Sequence, residues 1–248
     1  MPSSALDRLK TLVEGARSAV AFTGAGISAD SGIPTYRGND GLWTKYDPAK
    51  YADINYFRRD PEYYWRFFQE VRYHVLSRAQ PNEGHLALST MEQRGKLTAL
   101  ITQNIDGLHQ RAGSQRVIEL HGNSRRFPCV DCGTVDTLEE VFARLDVEFP
   151  PCCTSCGGSL RPGVVFFGEM LPPGAMEEST EAASACDLFL AIGSSLVVTP
   201  ASSLPVIAKE HGARLVLINN EPTALDGMAD LVMREGASEV LSAMRLAQ

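Results

Sequence analysis

Apolar residues fall into two rhythms along this chain. Near its start Leu6, Leu9, Leu12 and Val13 recur at helical spacing, which predicts an amphipathic helix from about Ser4 to Ala16. Short, nearly continuous apolar runs follow: SAVAFTG, LTALITQN, RVIELHG, DLFLAIGSS, RLVLIN and ADLVM. Each fits a strand buried on both faces, and most are separated by segments of helical pattern. The alternation predicts an α/β fold, a parallel sheet with helices on both sides. Ligands of such sheets bind beyond the carboxyl ends of the strands. The polar residues that close the runs are Thr23-Gly24, Gln103-Asn104, His121-Gly122, Gly193-Ser194-Ser195 and Asn219-Asn220, so all are expected on one rim.

Two stretches break the alternation. Gly38 to Gln80 is rich in aromatics and predicts a small helical insert, and Arg125 to Arg161 carries five of the six cysteines. No repeat or low-complexity tract is visible. A chain of 248 residues, 44% hydrophobic and 21% charged, supports one large domain or a domain with a small appendage. No run is apolar for long enough to cross a membrane, and MPSSALDRLK lacks the apolar centre of a signal peptide. A cytoplasmic setting with reduced cysteines is therefore expected. A net charge of −7 argues against nonspecific nucleic-acid binding and favours a cationic, lysine-rich partner.

The chemistry starts at TGAGIS. Gly24, Gly26 and Ala29 satisfy the loose form of a dinucleotide fingerprint, in which glycines let the backbone approach a pyrophosphate at the next helix's N-terminus. A tight strand–helix turn without ligand would read the same. A dehydrogenase would also place an acidic residue about 20 residues further on, after the next strand. Here that distance lands in NDGLWTKYD, inside the aromatic insert. The ribose contact is instead expected from LVLINNE, through Asn219 or Glu221, and NAD can then be a substrate without any hydride transfer.

Cys129-x-x-Cys132 and Cys153-x-x-Cys156 have the spacing of four thiolates around one tetrahedral zinc. A full set of sulfur ligands leaves no place for a catalytic water, so the metal is expected to be structural. Cys152 could replace Cys153, although the x-x spacing favours the latter, and Cys186 reads as a small buried hydrophobe. His121 closes the RVIEL run on the same rim as the glycine loop. An imidazole there can accept a proton from a sugar hydroxyl near neutral pH. A histidine merely bonded in a turn is the plainer alternative. His74, His85, His109 and His211 rank below it.

These residues together resemble a known family. GAGISADSGIPTYRG, TQNIDGLHQRAG, IELHG, the two C-x-x-C pairs, RPGVVFFGEMLP, GSSLVVTPASSLP and LINNEPT occur in the order found in sirtuins of prokaryotic type, NAD-dependent protein lysine deacylases, and span nearly the whole chain. The resemblance implies one catalytic domain over residues 1–248: a Rossmann-like NAD domain plus a small lobe made of a helical module, 38–80, and a zinc-ribbon module, 125–161. NAD is the implied co-substrate and one zinc the implied structural metal. The implied cofactor contacts are Gly24, Ala25, Gly26, Ser28, Ile33, Thr35, Tyr36, Arg37, Gln103, Asn104, Ile105 and Asp106, with Gly193, Ser194, Ser195, Asn219, Glu221 and Ala237 around the adenosine half. GIPTYRG corresponds to the loop that closes over the nicotinamide ribose. Asn104 and Asp106 would grip the ribose side and the nicotinamide carboxamide, and His121 would be the base.

Acyl-lysine, on a protein or peptide, would lie beside Val164, Val165, Phe166, Phe167 and Gly168 as an added strand, with Val198 opposite. Nicotinamide, free lysine and O-acetyl-ADP-ribose are the implied products, from a chain expected to be monomeric. A zinc-braced NAD sensor, or a relative that mainly transfers ADP-ribose, is the competing reading. Sirtuins that take succinyl or malonyl groups carry a tyrosine and an arginine three residues apart before the PN-x-x-H turn. Counting back from Pro81 puts Gln69 and Arg72 there, whereas counting forward from Trp65 puts Phe68 and Val71. The registers differ by one residue, as after an insertion, and neither yields the pair. Tyr63 and Arg66 have the spacing but lie too early. Acetyl or another neutral acyl group is therefore expected, with Arg72 the one residue that could favour an acid.

Overall fold

The computed structural model describes residues 4–37 and 41–246. Gly38, which opens the helical module and closes GIPTYRG, lies outside the described residues. The strands are β1 (Ala19–Thr23), β2 (Leu97–Thr102), β3 (Val117–Glu119), β4 (Arg126–Pro128), β5 (Val135–Thr137), β6 (Leu188–Ile192), β7 (Arg214–Ile218) and β8 (Leu231–Met233). Six of them form one sheet in the order β3-β2-β1-β6-β7-β8, and every neighbouring pair is parallel. Each apolar run singled out above supplies one of these strands. The chain builds outward from β1 to β3, then returns to the other side of β1 to lay down β6. Crossovers leave β1 and β6 toward opposite edges, and a crevice opens between their carboxyl ends.

Alternation along each strand feeds two cores. Ala19 and Ala21 of β1 pack with Leu100 and Val216 under Leu9, Val13, Leu88 and Leu241, from helices Ala5–Gly15, Glu83–Gln93 and Ala237–Leu246. Val20 and Phe22 face the other way, against Phe189, Leu215, Ala183 and Leu204, the last two on helices Ala175–Ala185 and Leu204–Glu210. Ser4 caps the first helix in a reciprocal pair with Asp7.

The aromatic insert folds into short helices, Pro48–Tyr51, Ile54–Arg59, Pro61–Phe67 and Tyr73–Arg78, with a π-helical turn at Phe68–Arg72 between the last two. Its aromatics share a third core with the cysteine segment. Trp65 stacks on Phe127 at 5.5 Å between ring centroids, Phe68 meets Phe127 edge-on at 5.4 Å, and Phe57 stacks on Phe166 at 5.2 Å. β4 and β5 pair antiparallel beneath these rings. The buried Asp136 carboxylate ties β5 to the second cysteine turn: it accepts from Arg144 at 2.6 Å and from the Thr154 hydroxyl at 3.1 Å.

One local expectation changes. The glycine turn runs into a 3₁₀ helix, Ala25–Ser31, instead of an α-helix. Gly32, in the left-handed conformation at φ 79°, stops it, and Pro34 follows. The VVFFG segment forms no continuous strand. It makes isolated bridges, Val164 with Gly122 and Phe167 with Asp53, because it crosses from the sheet rim to the helical insert and meets each only once.

Candidate functional site

The floor of the site is backbone. Gly24 N–H donates to Ile192 O at 3.0 Å and Gly26 N–H to Gly193 O at 2.8 Å, so the loops after β1 and β6 lie against each other. A Cβ on Gly26 would stand 2.6 Å from Gly193 Cα, and Gly193 itself takes φ 60°. Only glycine fits this contact, and the result is a surface without side chains at the crevice where the strand order reverses.

Above the floor opens a cavity of about 910 Å³. It is lined by Gly24, Ala25, Gly26, Thr35, Tyr36, Arg37, Gln103, Asn104, Ile105, His121, Gly193, Ser194, Ser195, Asn219 and Glu221, residues gathered from five strand ends and one loop. Val164, Val165, Phe166, Phe167, Gly168 and Val198 close its other side. The small lobe adds Trp43, Tyr51, Ala52 and Tyr64, which no motif picks out, together with Arg72, and the turn before helix Ala175–Ala185 adds Met170 to Pro173, the end of the RPGVVFFGEMLP motif and the residue after it. Aromatic periodicity in the insert marks these rings as core; only their place over the rim makes them cavity wall.

Four expected residues do not line the cavity. Ser28 and Asp106 lie beneath it, Ile33 is half-buried on the loop beside it, and Ala237 is packed into the first core. Ser28 and Asp106 belong to a buried polar layer. Ser28 Oγ donates to Asp106 Oδ2 at 2.8 Å, and Leu108 N–H donates to Asp106 Oδ1 at 2.9 Å. Asn104 Nδ2 donates to Gly24 O at 3.0 Å and Ser28 Oγ at 3.2 Å, which leaves Oδ1 as the group the amide can offer a ligand. Burial raises the Asp106 pKa, against the hydrogen bonds that favour its anion.

The layer extends through histidines that rank low on sequence alone. His85 Nε2 lies 3.3 Å from Ser28 Oγ, and Asn82, which caps the His85 helix, donates to Ile27 O at 2.7 Å and Ser31 Oγ at 3.0 Å. Asn104 N–H donates to Thr102 Oγ1 and Thr23 donates to the same oxygen at 2.8 Å, so the 2.9 Å contact between Thr23 Oγ1 and His109 carries the proton of His109 Nε2. Burial holds both histidines below the usual pKa, His85 at about 4. They are neutral supports under Asn104.

His121 differs. Its Nδ1 lies 3.1 Å from Gln103 O, and a carbonyl only accepts, so the proton sits on Nδ1. Nε2 is then a lone-pair nitrogen with no protein partner among the described residues, on a side chain that lines the cavity. Burial lowers the ring's pKa, partly offset by the Gln103 bond. A neutral imidazole fixed in one tautomer can take a proton.

Away from the cavity, the sulfurs of Cys129, Cys132, Cys153 and Cys156 all lie within 4.8 Å of one another. Cys129 Sγ is 3.6 Å from Cys156 Sγ, and Cys132 Sγ is 3.7 Å from Cys153 Sγ. Zn–S bonds of ≈ 2.3 Å in a tetrahedron put sulfurs about 3.8 Å apart, so the spacing fits zinc. Cys152 stands outside the cluster, half-buried, and Cys186 is buried, where its thiol pKa rises to about 11.

The model of the Sir2 family matches residues 24–200. Among curated relatives, NAD-dependent protein deacylase 2 of Pyrobaculum aerophilum is 49% identical over 93% of this chain and 90% of its own length. The NAD-dependent protein deacetylase of Sulfurisphaera tokodaii is 48% identical over 95% and 92%. A solved Sir2–p53 peptide–NAD+ complex superposes with a TM-score of 0.89 at 40% identity, covering 98% of both chains.

Each chain should carry one zinc atom. Chelation, or Cys→Ser at any of the four positions, should release it and lower Tm, because the third core rests on the two cysteine turns. Elemental analysis that finds no zinc in folded protein rejects the assignment.

Proposed function

The chain belongs to the Sir2 family, and we propose that it is an NAD-dependent protein lysine deacetylase yielding nicotinamide, free lysine and O-acetyl-ADP-ribose. The observation that carries this reading is His121, a neutral base with its free nitrogen on a cavity floored by two glycine loops. NAD as co-substrate supplies the leaving nicotinamide and the ribose that receives the acyl group. The protein's part is to orient, to exclude water and to move one proton.

The side-chain-free floor at Gly24, Gly26 and Gly193 receives the pyrophosphate, with Ser194, Ser195, Asn219 and Glu221 toward the adenosine. Ala237 supports that end from the core. Asn104 offers Oδ1 to a ribose hydroxyl. Asp106 holds Ser28 and, with lone pairs remaining on both oxygens, accepts from the nicotinamide carboxamide. Ala25, Ile33 and Ile105 shield that group from water, and Thr35, Tyr36 and Arg37 cover it. His121 Nε2 then takes the ribose proton.

The acyl-lysine meets Val165. That residue's N–H is taken by His121 O at 2.9 Å, while its carbonyl has no backbone partner among the described residues and can accept from the substrate amide. Neighbouring groups are already used: Arg161 donates to Val164 O at 3.1 Å and Phe166 N–H to Glu169 at 3.0 Å. The substrate then lies extended beside Val164–Gly168 as an added strand, with Val198 opposite and the Val165 carbonyl as its free acceptor. The same reading keeps 38–80 and 125–161 as modules of one small lobe. It also keeps a monomer in a reduced cytoplasmic setting that acts on lysine-bearing proteins.

Acetyl, or another neutral acyl group, is the preferred cargo. Phe68 is buried in the third core and does not reach the cavity. Arg72 does reach it, but its guanidinium lies over the Tyr36 ring and is hydrogen-bonded to that side chain. A succinyl carboxylate would have to displace this contact, and it finds no tyrosine–arginine pair waiting.

His121→Ala should abolish product formation with NAD and peptide binding retained. In the native enzyme the acidic limb of kcat/KM should fall below pH 6.5, since a lowered pKa keeps the base unprotonated until more acid is present. Nicotinamide release should require the acetylated peptide; equal release without it would overturn deacylation in favour of an NAD-binding or ADP-ribosyl-transferring protein.

With one peptide carrying different acyl groups, kcat/KM should be higher for acetyl- than for succinyl-lysine. A tenfold preference for succinyl, as an order of magnitude equal to about 1.4 kcal/mol in transition-state binding, refutes the acyl assignment.

A further inference from the structure

The helix that runs from Pro61 toward Arg78 carries one residue more than its two ends agree on. The π-helical turn at Phe68–Arg72 absorbs it. Every residue after the turn is advanced by one, so Arg72 takes the direction that Val71 would hold in an unbroken α-helix. This brings a guanidinium into a wall otherwise built from Tyr51, Tyr64 and Trp43.

Arg72 has no carboxylate in ion-pair range among the described residues. Its guanidinium carbon is 5.1 Å from the centroid of the Tyr36 ring and 5.8 Å from that of Phe67. Burial works against its charge, but a guanidinium stays protonated in proteins, and its hydrogen bond to Tyr36 favours that form. Tyr36 belongs to the 33–37 segment over the cavity, which is tied to residues that follow it. Leu42 N–H donates to Thr35 O at 2.9 Å, Trp43 N–H to Tyr36 O at 3.0 Å, and the Trp43 ring lies 5.2 Å from that of Tyr36. Trp43 and Arg72 therefore hold the Tyr36 ring; Trp43 follows the 33–37 segment closely in the chain, in the 3₁₀ turn Leu42–Thr44, whereas Arg72 reaches it from the distant helix that runs from Pro61 toward Arg78.

We propose that Arg72 is a positioning residue that docks the 33–37 segment onto the small lobe through Tyr36, setting the affinity for NAD and leaving the chemical step alone. A cation over a partly desolvated ring is among the stronger side-chain contacts available to a loop. Phe67 keeps the guanidinium from turning away. The inference rests on the reading above that this segment covers NAD.

The test uses the full chain with Arg72→Gln and Arg72→Lys, each also in a Tyr36→Leu background. Arg72→Gln should raise KM for NAD about tenfold, the scale of a desolvated cation–ring contact, with kcat and the KM for acetylated peptide little changed. Arg72→Lys, which keeps the cation, should restore most of the loss. Neither substitution should matter once Tyr36 is leucine. A KM for NAD unchanged by Arg72→Gln, or an equal loss in both backgrounds, overturns the proposal. Acrylamide quenching of tryptophan emission reads docking without turnover, because Trp43 is half-buried and Trp65 is shielded in the core. Arg72→Gln should increase quenching, and no change counts against docking. Wild-type protein inert toward NAD and acetyl-lysine would reject the deacetylase reading while the quenching experiment still decides the role of Arg72.

Discussion

Everything at the catalytic end depends on two backbones that touch. Gly26 and Gly193 bring the loops after β1 and β6 together at a distance no side chain permits, where the direction of chain winding reverses. A methyl group at either position would drive the loops apart and open the crevice floor. The contact also sets the height of the residues around it: Asn104 is bonded to Gly24 O, and Gln103 N–H donates to Thr23 O at 3.0 Å. Gln103 O in turn fixes the tautomer of His121. One steric constraint thus passes through three hydrogen bonds to the tautomer of the His121 ring.

The polar layer under that floor explains how a parallel sheet can end in so many buried heteroatoms. Thr23, Thr102, Ser28, His85 and His109 are almost wholly enclosed. Left unpaired they would be costly, but nearly every one has a directed partner. His109 Nδ1 is an exception, a buried atom without one. Neutral imidazoles suit this position because they bring both a donor and an acceptor without the desolvation cost of a charge. Asn104 and His121 stand at the boundary between this layer and the cavity.

The sheet was legible because both its faces are covered: continuous apolar runs admit few other readings, and each rim dipeptide follows its strand. The cysteine pairs were legible because metal geometry dictates their spacing. The support of Asn104 was not, since Thr23, His85 and His109 look like ordinary strand and helix residues until the fold stacks them. The aromatic insert hid its function differently. Tyr64 packs in the third core and walls the cavity as well, while Trp43 and Tyr51 are half-buried on its rim, and an aromatic-rich helical pattern does not tell the two apart. The expected α-helix after TGAGIS gave way to a 3₁₀ turn, because contact with the second glycine loop, absent from any local signal, decides that geometry.

The conflict of register between Trp65 and Pro81 shows where sequence and structure complement each other. Two landmarks that disagree by one residue signal an insertion, but the string alone does not say whether it lengthens a loop or deforms a helix. Both neighbouring helices are pinned, one by Trp65 and Phe68 on Phe127, the other by Leu76 in the same core. The extra residue can leave only as a local widening between the pins, hence the π-helical turn. The turn lies beside the cavity and directs an arginine toward the 33–37 segment. Arg72 there lies over the Tyr36 ring. The π-helical turn that falls within the expected tyrosine–arginine spacing therefore also sets the partner of the arginine, the Tyr36 ring of the 33–37 segment.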